Sequence, residues 1–275
     1  MLDNPTVVAR DKDHLIELVN LAIQAKGLEC DLNYIDVSKV TDMSYLFSSR
    51  NAFMLFKGSI ETWDVSNVTT MQRMFWMSKF EGDISKWRVS NVMAMDAMFK
   101  QSKFNGNLSD WDVSNVHTMD SMFSQSKFNT DIRAWNTSQV RNMYGMFQHS
   151  VFDSDISNWN VSQVTDMNYM FQYSVFNVDI ASWDVSNVQH MGRMFYASSF
   201  NRDISKWNVA KVKSLAMMFF DTSYCGNISQ WFISEETSID GLFEVSKLNM
   251  FAEPTVYHWY VALEDFNIMT KYTET

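Results

Sequence analysis

The sequence predicts an α/β repeat solenoid, nine coils of about 24 residues, each carrying a short parallel strand and a short helix. Three observations lead there. Trp63, Trp87, Trp111, Trp135, Trp159, Trp183, Trp207 and Trp231 are each 24 residues apart. The residues after each Trp first alternate in the period of a strand, then recur at helical spacing. Aromatics reach 15% and methionine 21 of 275 residues, a surplus that one repeated core would explain.

Each element follows from its place after Trp. Valine stands two residues on, at Val65, Val89, Val113, Val161, Val185 and Val209, with Thr137 and Ile233 as variants. Trp-x-Val therefore reads as a strand with both side chains inward. Five on comes Val68 through Val212, until Glu236 departs; eight on comes Met71 through Met191, then Leu215 and Ile239. Eleven and twelve on stands a Met-Phe pair, Met74-Phe75 through Met218-Phe219, then Leu242-Phe243. These positions suit a short helix. A second aromatic, Phe80 through Phe200 and then Tyr224, stands seventeen on, and Ile84 through Ile228 twenty-one on. A divergent first coil replaces Trp by Ile35, keeps Val37, Val40, Met43, Leu46 and Phe47, and carries four extra residues before Phe56.

One strand and one helix per coil cannot bury a core alone, so neighbours must stack. At ~4.8 Å between parallel strands the rod would be about 40 Å long. Fourteen of the 21 methionines, Met43 included, lie in the two Met columns, where an adaptable apolar side chain fills the core. The buried indole N–H needs an acceptor. Asp83, Asn107, Asp131, Asp155, Asp179, Asp203 and Asn227, four residues before Trp, are candidates for it or for a turn bond to the backbone.

Residues 1–33 are expected to form an N-terminal cap, 34–248 the repeats and 249–275 a C-terminal cap or docking tail. Residues 11–27 read as one amphipathic helix, capped by Asp11 or Asp13 and stopped by Gly27. The tail offers Tyr257, Trp259, Tyr260 and Phe266 as an aromatic docking cluster.

Several function classes find no support. A net charge of −10 without a basic run argues against nucleic acid as partner. No stretch approaches the ~20 apolar residues of a membrane span. Met1–Thr6 lacks the pattern of a secretory signal, so the chain is expected to stay where it is made. Cys30 and Cys225 lie far apart and read as buried thiols. The five histidines never share a repeat position, and no catalytic, metal-binding or cofactor motif occurs. The expectation is therefore no enzyme, no cofactor and no metal.

Binding is expected on the outward face of the Trp strand. The residues flanking Trp run Thr62 and Asp64, Lys86 and Arg88, Asp110 and Asp112, Ala134 and Asn136, Asn158 and Asn160, Ser182 and Asp184, Lys206 and Asn208. They vary from coil to coil while the core beside them does not. Lys86 would pair with Asp110 and Arg88 with Asp112, each for about 0.2–1 kcal/mol. The uncharged middle, Asn136, Asn158, Asn160 and Ser182, is cheap to desolvate. Other proteins are the expected partners.

The unit Phe-Asn-Arg-Asp-Ile-Ser-Lys-Trp-Asn-Val at 200–209 resembles the repeat of the BspA-like bacterial surface proteins. So do Trp-Asp-Val-Ser-Asn-Val-Thr-Thr-Met-Gln-Arg-Met-Phe at 63–75 and the opening Leu32 to Met43. The resemblance covers roughly residues 32–248. It implies a leucine-rich-repeat-like solenoid with a parallel sheet on one face. Members occur on bacterial and mycoplasmal surfaces and abundantly in large DNA viruses. The resemblance brings no catalytic residues. It implies a non-enzymatic scaffold, with a minor capsid-associated place in a virion or in the host cytoplasm. The alternative is an adhesin at the cell surface that binds host proteins.

Overall fold

The structure is a computed structural model that describes residues 6–243. The N-terminal helix forms where its end signals place it. α1 spans Lys12–Lys26; the Asp11 carboxylate accepts the His14 N–H, and Gly27, at φ 83°, closes the other end with its N–H on the Ile23 carbonyl. Leu15, Val19 and Ala22 recur at helical spacing and are buried. Just ahead, β1 (Val7–Val8) pairs in parallel with β2 (Ile35–Asp36), Val7 opposite Ile35. Lys12 bridges to Asp42 at 3.1 Å. Strand, helix and ion pair thus fasten these residues to the first repeat.

From there the repeats pair with one another in register. A line of parallel bridges runs through Asp42, Thr70, Ala94, Thr118, Asn142, Asp166, His190, Ser214 and Ser238, one residue from each repeat. Beyond each bridge, alternate amides point to the next repeat. The N–H groups of Met71, Arg73, Phe75 and Met77 donate to the carbonyls of Ala94, Asp96, Met98 and Lys100 at 2.8–3.0 Å. The intervening amides of Met74, Trp76 and Ser78 close tight turns onto Met71, Arg73 and Phe75. The same scheme recurs down the chain.

This arc is where a short helix was expected, and none forms there. The Met and Phe spacing fits a helix and also fits a train of tight turns. Inter-repeat bonding decides between them. A helix spends its amides internally, whereas here every second amide must point along the stack. Two residues per repeat therefore adopt left-handed backbone, at ten and fourteen residues after Trp. They are Arg73 and Met77, Ala97 and Gln101, Ser121 and Gln125, Gly145 and His149, Tyr169 and Tyr173, Arg193 and Ala197, and Met217 and Asp221.

The Trp-x-Val arc differs from expectation in the opposite sense. Apart from Ile35–Asp36 in the first repeat, it forms no strand among the described residues. Its amides turn inward on themselves, Trp63 to Ile60 and Val68 to Val65. Side chains join the repeats here instead. The indole N–H of Trp87 donates to the Ile60 carbonyl at 3.2 Å, that of Trp111 to Ile84 at 3.0 Å, and the pattern continues to Trp231 on Ile204. Asn67, Asn91, Asn115 and Asn187 donate to a serine carbonyl of the preceding repeat at 2.7–2.8 Å. Carbonyls thus receive the indoles. The carboxylates four residues before Trp take the other expected role: Asp83, Asp155 and Asp203 accept the amide two residues on.

The core is one continuous cluster of Trp, Val, Met, Phe and Ile columns. Phe75, Phe99, Phe123, Phe147, Phe171, Phe195 and Phe219 stack ring on ring at 5.5–6.0 Å. Thr137 substitutes for Val because its hydroxyl reaches the Asn160 carbonyl at 2.9 Å. A subtler rule governs the second aromatic. Where glycine follows it by two, at Gly58, Gly82, Gly106 and Gly226, the two rings of a repeat lie 4.3–4.8 Å apart. Where Thr130, Ser154, Val178 or Arg202 stands there, the ring presses to 4.0–4.1 Å. Both cysteines are free, but only Cys30 is buried. Cys225 is exposed because its position is an outward one, filled by Asn or Asp in the preceding five repeats.

Candidate binding faces

The column flanking Trp is exposed throughout, as expected. Most of its members are already engaged locally. Asp64, Asp112, Asn136, Asn160, Asp184 and Asn208 each accept the backbone amide two residues on, at 3.0–3.2 Å. These Asx turns hold the chain as it leaves Trp. Hydrogen bonds from Ser66 and Ser186 hold the Asp64 and Asp184 carboxyls below the usual carboxylate range. Asp110 accepts from its neighbour Ser109, and the Ser182 hydroxyl donates to the Ser157 carbonyl.

The expected pairs Lys86–Asp110 and Arg88–Asp112 do not form. Among the described residues the side-chain ion pairs are Lys12–Asp42 and Arg133–Asp131. Asp112 is turned onto the Ser114 amide. Arg88 lies on the Asp64 side, where its charge further favours the Asp64 carboxylate. A shallow groove collects Glu61, Thr62, Trp63, Asp64, Asp83, Lys86 and Arg88. Among the described residues the polar members without a side-chain hydrogen bond are Lys86, Arg88, Asn158 and Lys206.

A second face lies past the bridged arc, sixteen residues after Trp and beside it. Its residues belong neither to the core columns nor to the pair flanking Trp, so its signal is a separate column at fixed spacing. Lys79, Lys103 and Lys127 occupy this position in three consecutive repeats, followed by Val151 and Val175. Val151 is 48% exposed, Val175 49% and the adjacent Tyr173 47%. His149 stacks on Tyr173 at 4.4 Å, and Tyr196 on Phe220 at 4.8 Å. The lysine end opens into a groove lined by Leu28, Glu29, Leu55, Lys57, Lys79, Glu81 and Lys103.

Two positional ladders edge this face. The carboxamide or carboxylate of Asn105, Asn129, Asp153, Asn177 and Asn201 accepts the amide at the same position of the next repeat, at 2.8–3.0 Å. Buried hydroxyls from Ser78 to Thr222 accept the amide two residues on. Both were legible as near-invariant columns at fixed spacing.

On the bridged arc itself, Asp96 and Asp120 neighbour one another in successive repeats. Burial raises the affinity of Asp120 for a proton, and the Asp96 charge adds to it, against the hydrogen bond from Ser121 at 2.6 Å. Among the described residues no group of three His, Cys, Asp or Glu side chains could hold a metal ion, and no helix is long and apolar enough to cross a membrane. Tyr257, Trp259, Tyr260 and Phe266 of the expected docking tail lie outside the described residues.

A family model described as Mycoplasma protein of unknown function, DUF285, matches the chain five times, over residues 16–126, 51–150, 76–174, 101–195 and 148–259. The overlapping matches mark it as a repeat protein. No curated protein and no solved structure matches it.

Proposed function

The chain belongs to the DUF285 family, and from that premise we propose that it is a non-enzymatic scaffold that binds other proteins along a leucine-rich-repeat-like solenoid. One observation carries the reading. A core repeated almost unchanged supports an outward column, Asp64 to Asn208, whose charge and size change from repeat to repeat. Core packing cannot be the reason for that variation, since the column lies in solvent. Solenoids use such surfaces for extended binding. The Asx turns pre-set the backbone of this column, so less ordering entropy is lost when a partner docks.

Its place in this reading is as a minor component of a virus particle, which the resemblance of its repeats to those of large DNA viruses supports. A cell-surface adhesin is the second reading, favoured by the family description, which names Mycoplasma. Mass spectrometry of what copurifies with the native protein separates the two: capsid proteins support the first, host surface proteins the second. The binding face is tested by Asn136→Lys with Asn160→Glu. Loss of the copurifying protein while the chain stays folded, its melting midpoint lowered only by the two lost Asx turns, is the expected result. Capture that survives this change but is lost on deleting residues 251–275 would place binding in the tail.

A further inference from the structure

We propose that the stripe from Lys79 to Val175, whose lysine end opens into a groove, is a docking surface for an extended polypeptide whose first part is acidic and whose second part is apolar. Lys79, Lys103 and Lys127 stack in consecutive repeats on a chain of net charge −10. Like charges facing one another on neighbouring repeats repel. No ion pair involving them occurs among the described residues, and none of the three ammonium groups makes a side-chain hydrogen bond there. Glu29 and Glu81 line the same groove without forming an ion pair to the column among the described residues, which leaves its ammonium groups open to an anionic partner. Past Lys127 the same position turns to Val151 and Val175, about half exposed and flanked by Tyr173. The charged and apolar parts lie end to end along the stack, so the ligand must carry them in the same order.

The spacing selects an extended chain. In the ring column beside the stripe, Phe80 to Phe104 and Phe128 to Phe200, successive repeats lie 6.2–6.4 Å apart. Side chains on one face of an extended peptide recur about every 6.7 Å. Glutamates at alternate positions can thus meet successive lysines, and Val or Tyr at alternate positions can follow onto Val151, Tyr173 and Val175. The inference deepens the scaffold reading but uses a different face from the Trp-flanking column, so each can fail without the other.

The test uses the full chain and a fluorescein-labelled peptide with three alternate glutamates followed by alternate Val, Tyr and Val. Fluorescence anisotropy should show binding, about tenfold or more weaker when salt is raised from 0.05 to 0.5 M. Lys103→Glu with Lys127→Glu should abolish it. Val175→Asp should weaken it about tenfold while leaving salt sensitivity, and Asn136→Lys with Asn160→Glu should leave it unchanged. The exposed positions make all of these compatible with folding, which melting curves check. A control peptide with the same residues, acidic and apolar interleaved, should bind at least tenfold more weakly. No binding to the full chain, equal binding of the control, or binding indifferent to the lysine variant overturns the proposal. So does a sulfated glycan that displaces the peptide and itself binds Val175→Asp as tightly as the unchanged chain, since the stripe would then serve polyanions alone.

Discussion

Tyr224 stands where six earlier repeats carry Phe at the same register, and its hydroxyl is buried without a partner. Burial accordingly pushes its phenol far above the ordinary range. Space for the hydroxyl comes from Gly226, where an added Cβ would lie 2.2 Å from it. An unpaired buried hydroxyl costs about 1–3 kcal/mol. Tyr224→Phe should therefore raise stability by about 1 kcal/mol, read from the urea midpoint at unchanged slope. Asp120 is the second residue that works against the fold. Its folded proton affinity is raised, so the folded state binds the proton more tightly than the unfolded state. Stability at this site is gained as pH falls through the folded pKa and is withheld at neutral pH. Asp120→Asn should stabilise at pH 7, by under about 1 kcal/mol for a half-buried group, and the gain should vanish near pH 3. A gain that persists at pH 3 would assign the effect to packing rather than charge.

At the scale of the element, the bridged arc depends on left-handed residues that are mostly not glycine. Ala97, at φ 51° and buried, is the simplest to relieve. A left-handed L-residue costs roughly 1–2 kcal/mol, part of which glycine returns as unfolded-state entropy. Ala97→Gly should thus be neutral to stabilising by up to about 1 kcal/mol, where a helix at this position would lose about that much. The sign of the change in the denaturant midpoint decides between turn and helix. The sequence made the period, the core columns, a helix cap at Asp11 or Asp13 and the stop at Gly27 legible; the structure selects Asp11. It did not reveal which arc carries the backbone pairing. Trp-x-Val alternation and Met-Phe spacing state only which side chains face inward. The direction of an amide leaves no trace in side-chain pattern. Two left-handed positions filled mostly by residues such as Arg, Ala, Ser, Tyr and Gln, with glycine only at Gly145 and Gly241, gave little glycine signal either. The flanking column was legible as exposed, yet its Asx turns and the failure of the Lys86–Asp110 and Arg88–Asp112 pairs were not. The lysine-to-valine stripe shows in the aligned repeats only as a column of unlike residues outside the core pattern.

At the scale of the whole molecule, each repeat touches its neighbours, and coupling passes along the Phe column one ring at a time. Phe147 contacts Phe123, Phe152, Trp159 and Phe171. Phe147→Ala should cost roughly 3–5 kcal/mol. In a one-dimensional stack that loss can exceed the interface energy of one repeat pair and split the melting transition in two. A single transition at an unchanged midpoint would show that the column does not carry the coupling. Partner binding draws on the same linearity, because both outward faces keep their order only while the repeats hold register. That register rests on the alternate amides of the bridged arc, so residue-resolved amide hydrogen exchange on the unmodified chain tests it most directly. Met119, Ser121, Phe123 and Gln125, donors to Asn142, Tyr144, Met146 and Gln148 of the next repeat, should exchange slowest. The amides of Asn136 and Asn160 beside Trp should exchange orders of magnitude faster. Slow exchange at Asn136 and Asn160 with fast exchange at Ser121 and Gln125 would put the pairing on the Trp arc and contradict the arrangement described.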